Sequence, residues 1–386
     1  MKHNQHLPDE YFQQPPQPFN KFSEKSILQN SLGGTLYMPG TRKIIDKLIQ
    51  KELPELKSMV MCLEDAVPEQ DLELAEENII YHLESLYEAI QQGDLTIDEI
   101  PLIFIRARNT EQFLNFSNKI TKKTAYVLTG FVFPKFYSYN ANIYLEKLKQ
   151  INLKLDSKLY AMPILEGKTI AYRESRSKEL EKLKLILDPY QEQILNIRIG
   201  GTDFSSLFGV RRSMHSTVYD ILPVRDAISD ILNFFNRMED SYTVSAPVWE
   251  YFLAYKKDDL LKYMRDDIHR SLLTKEPILN DAIDGLLREV VQDKANGMVG
   301  KTVIHPSHLR FVNAMQAVTL EEYEDAIQIL ETHGGVIKSR NGNKMNEIAP
   351  HRNWAKRITL RAQAYGVIND ESEYMRLFLS PVDKQH

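Results

Sequence analysis

Eight short apolar runs alternate with longer segments whose apolar residues recur at helical spacing, and this alternation constrains the fold more than any other feature. The runs lie at residues 35–40, 58–63, 101–107, 130–134, 158–165, 194–199, 243–249 and 301–304. Helical spacing is clearest at 43–51, 69–92, 142–150, 223–237 and 281–296. Because strands separated by helices pair in parallel, eight such units predict a closed α/β barrel of the TIM (β/α)8 type.

The two flanking regions depart from this rhythm, so the sequence predicts three parts. Residues 22–315 form the barrel. Residues 1–21 are rich in Gln and Pro, which predicts an irregular arm, either disordered or docked on a partner subunit. Residues 316–386 carry helical patterns at 320–331 and 353–365 around a polar loop at 338–343. Since this tail has few apolar residues, we expect no independent core, but a helical lid or an oligomer contact.

Charge, hydropathy and cysteine count exclude several classes of protein. The net charge of -5 shows no basic surplus, so we expect no nucleic acid partner. The sequence has no run of about 18 apolar residues, so we expect no membrane partner. Cys62 is the single cysteine, which leaves no disulfide or CxxC pair. It is expected to be a small buried strand residue in a cytoplasmic protein.

Charged residues follow most of the predicted strands. In a parallel barrel the carboxyl ends of the strands meet at one face, where catalytic groups lie. The residues at these positions are Arg42, Glu64, Asp65, Arg106, Arg108, Lys135, Glu166, Asp203 and His305. Charges placed together in this way are costly unless they are paired or bind a ligand. Their convergence therefore predicts an active site at this face.

Two of these residues suit a metal ion. In ILNIRIGGTDFSSLFG (194–209), Asp203 follows Gly200 and Gly201, where the chain can bend and approach a ligand closely. Glu166 ends the strand before it. Two carboxylates on neighbouring strand ends offer oxygen ligands to Mg²⁺, or to Mn²⁺, and leave positions for water and substrate. The alternative is that Asp203 only caps the following helix.

The other charged residues suit an anionic substrate. A bound cation would hold a carboxylate beside a keto or hydroxy group and stabilise an enolate. Arg106 has the planar fork for bidentate contact with a carboxylate or enolate. Glu64 and Asp65 either orient metal-bound water or cap the next helix. Lys135 either binds substrate or pairs inside the barrel. Arg42 either binds a phosphate or second carboxylate or pairs with a helix carboxylate.

The same segments resemble the superfamily of the citrate lyase beta subunit and the HpcH/HpaI aldolases. The similarity is carried by LYMPGTR, VMCLEDAVPEQDLELA, FIRARN, FVFPK, MPILEG, RIGGTDFSSLFG and GMVGKTVIHPSHLRFVN, over about residues 32–313. The resemblance implies a TIM barrel and a Mg²⁺-dependent carbon–carbon lyase, or the reverse condensation. It implies as metal ligands Glu166 and Asp203, as substrate arginine Arg106, as acidic pair Glu64 and Asp65, and as further substrate contacts Gly201 and Thr202.

The resemblance also implies an oligomer in which the C-terminal segment reaches over a neighbour's active site. KMNE (344–347) resembles the lid segment of the family and would place Glu347 in a catalytic acidic position across the interface. MPILEGKTIAYRES replaces the small-residue run that admits a coenzyme A or acyl-carrier arm in relatives. The stretch that begins RIGGTDF is most similar to the branch of C–C bond lyases found with tellurium-resistance and stress gene clusters.

Three functions are consistent with these features. The first is a Mg²⁺-dependent carbon–carbon lyase or aldolase acting on a small anionic keto- or hydroxy-acid. The second uses the same site to hydrolyse or cleave an acyl thioester. The third is a non-catalytic scaffold in a stress-response gene cluster, for which the Pro- and Gln-rich arm and the 19 tyrosines would provide docking surfaces.

Overall fold

The structure is a computed structural model that describes residues 1–240, 242–252, 278–340 and 342–379. Within these residues, eight parallel strands form one sheet in the order β7-β6-β5-β4-β3-β2-β1-β8. The strands are β1 (Gly34–Pro39), β2 (Ser58–Cys62), β3 (Leu102–Arg106), β4 (Leu128–Phe133), β5 (Tyr160–Leu165), β6 (Ile197–Ile199), β7 (Val244–Ser245) and β8 (Lys301–Val303). Lys301 also bridges Ala246, directly after β7, so the sheet closes. The predicted TIM barrel is confirmed.

Helices connect the strands and pack on the outside of the barrel. They are α1 (Lys25–Asn30), α2 (Ile45–Ile49), α3 (Leu72–Gln92), α4 (Thr110–Phe116), α5 (Lys122–Val127), α6 (Ala141–Leu155), α7 (Lys168–Ala171), α8 (Arg173–Leu187), α9 (Gly201–Leu207), α10 (Leu222–Phe235), α11 (Asp281–Ala295) and α12 (Ser307–Ala314). In α3, Ala75, Ile79, Leu83 and Leu86 recur at helical spacing and are fully buried. No described helix is long and apolar enough to cross a membrane.

Strand boundaries agree with the sequence except in the last part of the barrel. The sequence predicts strands at 194–199 and 243–249, but β6 and β7 are shorter. Ile194 pairs with Ala161 only through a single bridge before β6 begins. After β7, Pro247 has no N–H to donate to a neighbouring strand, so the regular ladder ends there. Tight closure of the barrel therefore uses fewer residues than the apolar runs suggest.

The N-terminal arm packs against the base of the barrel, where the strands begin. It is mostly irregular, with one 3-10 turn at Asp9–Tyr11. His3 is fully buried, and Phe12 and Phe19 are buried as well. The ammonium group of Lys21 donates to the carbonyl of Leu128, at the start of β4, over 2.7 Å. Disorder of the arm is therefore wrong, because its few apolar side chains fill the space beneath the barrel.

The C-terminal segment forms a small helical unit with its own apolar cluster. Its elements are β9 (Val318–Thr319), α13 (Leu320–Glu331), β10 (Val336–Lys338), β11 (Met345–Glu347), α14 (Ile348–Tyr365), β12 (Val367–Ile368) and α15 (Glu373–Phe378). Apolar residues of α13 and α14, including Ala326, Ile329 and Ile358, are buried against each other. The expectation of no separate core is wrong, and the predicted polar loop belongs to the β10–β11 hairpin. Residues 341 and 380–386 lie outside the described residues.

This helical unit lies at the base of the barrel and not over its mouth. The guanidinium group of Arg357 in α14 donates to the carbonyl of Gly297, which precedes β8, over 3.1 Å. The carbonyl of Gln363 accepts a hydrogen bond from the amide of Gln17 in the N-terminal arm. A lid over its own barrel is therefore excluded by position, so a lid role would have to be exerted on a neighbouring molecule.

Candidate active site at the barrel mouth

One buried and one half-buried carboxylate meet at the carboxyl ends of β5 and β6. Glu166 follows β5 directly and is only 5% exposed, and Asp203 lies in the first turn of α9. The two strands are neighbours in the sheet, with Leu165 opposite Ile199. A Cβ atom at Gly200 would lie 2.3 Å from the Cβ of Glu166. Glycine at this position is therefore what allows the β6 turn to approach Glu166 so closely.

The electrostatics of this pair are unfavourable in the absence of a cation. Burial and the negative charge of Asp203 raise the pKa of Glu166 to about 8. Burial and the negative charge of Asp65 raise the pKa of Asp203 as well. The amide of Lys135 donates to Oε1 of Glu166 over 2.7 Å. Lys135 has a φ of 46°, and this left-handed turn after β4 brings its amide to β5.

Arg106 ends β3 and lies beside the carboxylate pair in a separate ion cluster. Its Nη2 is 2.9 Å from Oε2 of Glu64 and 3.5 Å from Oδ2 of Asp65. Its Nε donates to Sγ of Cys62 over 3.1 Å. The Lys135 ammonium group also pairs with Glu64. Glu64 therefore holds two cations in place, while the side chain of Asp65 is 62% exposed toward solvent.

These groups surround a cavity of about 440 Å³ at the mouth. Glu166, Asp203 and Asp65 line one part of it, together with Arg106. Gly201 and Thr202 also line it. A cavity of this volume suits a small metabolite. Acidic and basic groups thus converge on one space, as the strand-end pattern predicts.

The comparisons with known proteins identify the family. A family model described as a C–C bond lyase of the TIM-barrel fold matches residues 26–367, which is most of the chain. This chain belongs to that C–C bond lyase family. The superfamily resemblance seen in the sequence is thereby confirmed. A search of curated proteins gives no match.

Solved structures show where the C–C bond lyase fold recurs. One is CitE from Mycobacterium tuberculosis in complex with magnesium, acetoacetate and coenzyme A, with 15% identity over 86% of this chain and 99% of that chain, and a TM-score of 0.52. Another is the Haloferax volcanii malate synthase magnesium/glyoxylate complex, with 12% identity over 89% of this chain and 87% of that chain, and a TM-score of 0.50. At these identities the similarity concerns the fold.

The residues of this site fit a magnesium ion. In the described part of the chain, no group of three or more His, Cys, Asp and Glu side chains is arranged to hold a metal. Mg²⁺ does not need such a group, because it commonly binds one or two carboxylates and keeps water or substrate in its other positions. Glu166 and Asp203 provide two carboxylates whose pKa values are raised by burial and by nearby negative charge, and a cation bound between them would favour their ionised forms. The donor set therefore suits a hard divalent cation.

The structure decides several of the alternatives left open by the sequence. Asp203 does not cap α9, since the cap of that helix has no side-chain hydrogen bond. Glu64 and Asp65 do not cap α3 either, because the N-cap position of that helix is occupied by Asp71. Lys135 pairs with Glu64, as the ion-pair alternative predicts. These charged groups therefore lie at the barrel mouth and do not act as helix caps.

Four predicted site residues do not line this cavity. Two of them, Glu64 and Lys135, are linked to it through the ion pair of Glu64 with Arg106, whereas Arg42 and Glu347 are not. The exposed side chain of Arg42 follows β1 at the rim and is not among the residues that line the cavity. Glu347 lies in β11 at the base of the barrel, where its amide donates to the imidazole of His351 over 3.1 Å. A substrate contact by Arg42 is therefore not supported. A role of Glu347 in the active site of a neighbouring molecule stays a prediction.

Sequence reasoning missed one lining residue with an unusual environment, Arg198. It lies within β6 and not after it, so the pattern of charged residues at strand ends does not include it. Its side chain points into the barrel and lines the cavity with Tyr37 and Thr302. The available signal was an arginine between two isoleucines in a strand buried at every position. A charge in such a place indicates either an internal partner or a ligand.

Proposed function

We propose that this chain is a Mg²⁺-dependent lyase that cleaves, or in reverse forms, a carbon–carbon bond of a small anionic keto- or hydroxy-acid. The observation that supports this most is that the buried Glu166 and the half-buried Asp203 line one cavity together with Arg106. A cation bound by the two carboxylates would supply Lewis-acid polarisation of a substrate oxygen. Mn²⁺ is the alternative ion, because the same oxygen ligands suit it.

The chain's own residues would orient the substrate. Arg106 is fixed by Glu64 and by Sγ of Cys62, which engage Nη2 and Nε. Since a guanidinium group has five N–H donors, others remain for a substrate carboxylate. Asp65 is exposed in the cavity and would hydrogen-bond to water or substrate there. Glu64 acts as a positioning residue, because its carboxylate is occupied by Arg106 and Lys135.

The backbone at Gly201 and Thr202 is proposed to contact the substrate. Both residues line the cavity next to Asp203. The hydroxyl of Thr202 is held by Oε1 of Glu250 over 3.3 Å. Side chains larger than glycine at position 201 would contact the Pro247 ring, since a Cβ there lies 2.8 Å from its Cβ. Glycine at position 201 therefore allows this turn to pack directly against Pro247.

The deciding measurement is a calorimetric Mg²⁺ titration of the protein and of Glu166→Gln at neutral pH. We expect the protein to bind Mg²⁺ and the variant to lose this binding, because one of two ligands no longer carries charge. Glu174→Gln is the matched control, since Glu174 is exposed on α8 and should leave binding unchanged. Absence of Mg²⁺ binding by the parent protein, or equal binding by Glu166→Gln, would show the assignment to be wrong.

The other two functions stay predictions. A pure scaffold gains nothing from burying carboxylates of like charge, whose burial costs folding free energy. Thioester cleavage would use the same groups, so assays of Mg²⁺-loaded protein with acyl-CoA esters and with 2-keto and 2-hydroxy acids separate the two reactions. The association with tellurium-resistance gene clusters and the cytoplasmic location are likewise untested.

We also propose a homo-oligomer in which Glu347 enters a neighbour's active site. The position of the C-terminal unit at the base of its own barrel supports action in trans. Glu166→Gln and Glu347→Gln should each be inactive alone. Co-expression of the two should restore activity, up to about a quarter of the wild-type level for a freely mixing dimer. If Glu347→Gln is fully active, or the mixture regains nothing, the trans role is wrong.

A further inference from the structure

Arg198 is a buried cation at the bottom of the active-site cavity. Its residue exposure is 1%, and its side chain crosses the barrel interior from β6. Nη2 donates to the hydroxyl of Thr302 in β8 over 2.7 Å, and Nη1 donates to the hydroxyl of Thr35 in β1 over 3.4 Å. The buried Nε has no hydrogen-bond partner. A group with five donors therefore has two neutral acceptors and an unsatisfied side.

No carboxylate of the described residues forms an ion pair with Arg198. The group next to it is the ring of Tyr37, whose centroid lies 5.4 Å from Cζ. Burial lowers the pKa of Arg198, which is the direction expected for a guanidinium group without a counter-charge. A buried charge of this kind is costly unless a ligand compensates it.

Arg106 in the same cavity shows the contrast. It also lies over Tyr37, with Cζ 5.7 Å from the ring centroid, so one aromatic ring contacts both guanidinium groups. Arg106, however, has Glu64 at 2.9 Å and Asp65 at 3.5 Å. The cavity thus contains one compensated and one uncompensated guanidinium group. An anion entering it gains more from neutralising the second.

We propose that Arg198 binds a second anionic group of the substrate, which makes the preferred substrate a small acid with anionic groups at both ends. One end lies beside Glu166, Asp203 and Arg106, and the other lies on Arg198 with the hydroxyl of Thr302. This inference rests on the proposed function. The distal group is an oxyanion, either a carboxylate or a phosphate, because both accept the two parallel N–H donors of a guanidinium fork.

Three Mg²⁺-dependent ligands test this specificity. Lactate carries only the hydroxy-acid end, malate adds a carboxylate, and 2-hydroxy-3-phosphonopropanoate adds a phosphonate. Affinities are measured by calorimetry with Mg²⁺ in excess. We expect at least one of the two dianionic acids to bind about 10- to 100-fold more tightly than lactate, the range of a charge-assisted hydrogen-bonded pair. The stronger of the two identifies the distal group.

Variants of Arg198 separate ligand binding from structural support. Arg198→Met should remove the preference for the dianionic acid and leave lactate affinity unchanged, with an equal or higher melting temperature because an uncompensated charge is lost. Arg198→Lys keeps the charge without the fork and should retain part of the preference. The matched control is Arg176→Met on α8, where Arg176 is paired with Asp230 at 2.9 Å. It should lower the melting temperature and leave the preference intact.

The outcomes distinguish the two levels of the proposal. If no probe binds in a Mg²⁺-dependent way, the proposed function fails and this inference fails with it. If lactate binds with Mg²⁺ but neither dianionic acid binds more tightly, only the role of Arg198 is overturned. The same holds if Arg198→Met keeps the full preference, or if it lowers the affinity of lactate and the dianionic acids equally. Should Arg198→Met not fold, Arg198→Lys decides the case. A reduced preference for the dianionic acid supports the role of Arg198, and an unchanged preference overturns it.

Discussion

The mouth and the base of this barrel are built on opposite principles. At the mouth, the buried Glu166 lies beside the half-buried Asp203 of like charge, and Arg198 is buried with no counter-charge among the described residues. At the base, apolar side chains of the arm, such as Phe19, pack against Leu28 and the barrel interior. The comparison teaches that burial by itself does not indicate stability. The base gains free energy from burial, whereas the mouth loses free energy that a ligand can return.

A second comparison, between the mouth and a buried ion cluster, shows that buried charge alone does not mark a binding site. Between β8 and α11, the fully buried Lys301 lies 2.8 Å from Glu289 and 2.9 Å from Asp293. Glu289 also accepts the amide of Val218 over 2.9 Å. These charges compensate one another, as buried ion clusters must. The mouth differs because three of its charged residues, Glu166, Asp203 and Arg198, form no ion pair among the described residues, which is the property expected of a binding site.

The largest effect on stability is expected at the base. Phe19→Ala removes a large buried side chain from the lower interior cluster, so the free energy of unfolding should fall by about 4 kcal/mol. Chemical denaturation measures the change, and calorimetry should show unchanged Mg²⁺ affinity in the folded variant. A loss of Mg²⁺ affinity without loss of stability would mean that mouth and base are not separate in the way described.

At the mouth, replacing a buried charged residue should raise the free energy of unfolding instead of lowering it. The pKa of Glu166 is raised from its usual value of 4.5 to about 8, so the metal-free protein should lose stability as pH rises between these values. Glu166→Gln should be more stable than the parent protein by about 3 kcal/mol at pH 7 in a chelator. Denaturation curves at several pH values test this. A stabilising contribution from Glu166 at pH 7 without metal would contradict the comparison.

Arg106→Lys tests orientation rather than charge at the mouth. Lysine keeps the ion pair with Glu64 but not the planar fork, so kcat/KM should fall by about 100-fold with little change in stability. Steady-state kinetics on a substrate identified by the acid panel measure this, and the melting temperature serves as the control. Equal kcat/KM for the two proteins would remove Arg106 from substrate binding.

A smaller effect on stability, which depends on pH, is expected at the base. Burial lowers the pKa of His3 from its usual value of 6.5 to about 3, so stability is full above the unfolded value and is lost as pH falls toward 3. Between about pH 7 and pH 5 this residue should contribute a loss of about 2 kcal/mol. His3→Gln should flatten this part of the pH profile relative to the parent protein. Identical profiles would show that His3 is not buried as a neutral group.

Much of the site could be predicted from the sequence because its signals are local. An apolar run followed by Glu166, or by Gly200, Gly201 and Asp203, marks a strand end, and parallel pairing brings all strand ends to one face. Arg106 and the Glu64–Asp65 pair were found in the same way. Arg198 could not be found by this rule, since its role depends on what lies across the barrel from it. No pattern of neighbouring residues in the sequence indicates whether a counter-charge lies opposite Arg198 across the barrel.

The sequence by itself determined the barrel, the face that carries the charges and the two carboxylates that meet there, because strand and helix periodicity are properties of neighbouring residues. Only the tertiary structure decided that the arm is packed, that the C-terminal helices lie at the base, and that Arg198 is uncompensated. These features depend on side chains distant in sequence competing for the same space and the same charge. Such competition is settled only when the chain is folded.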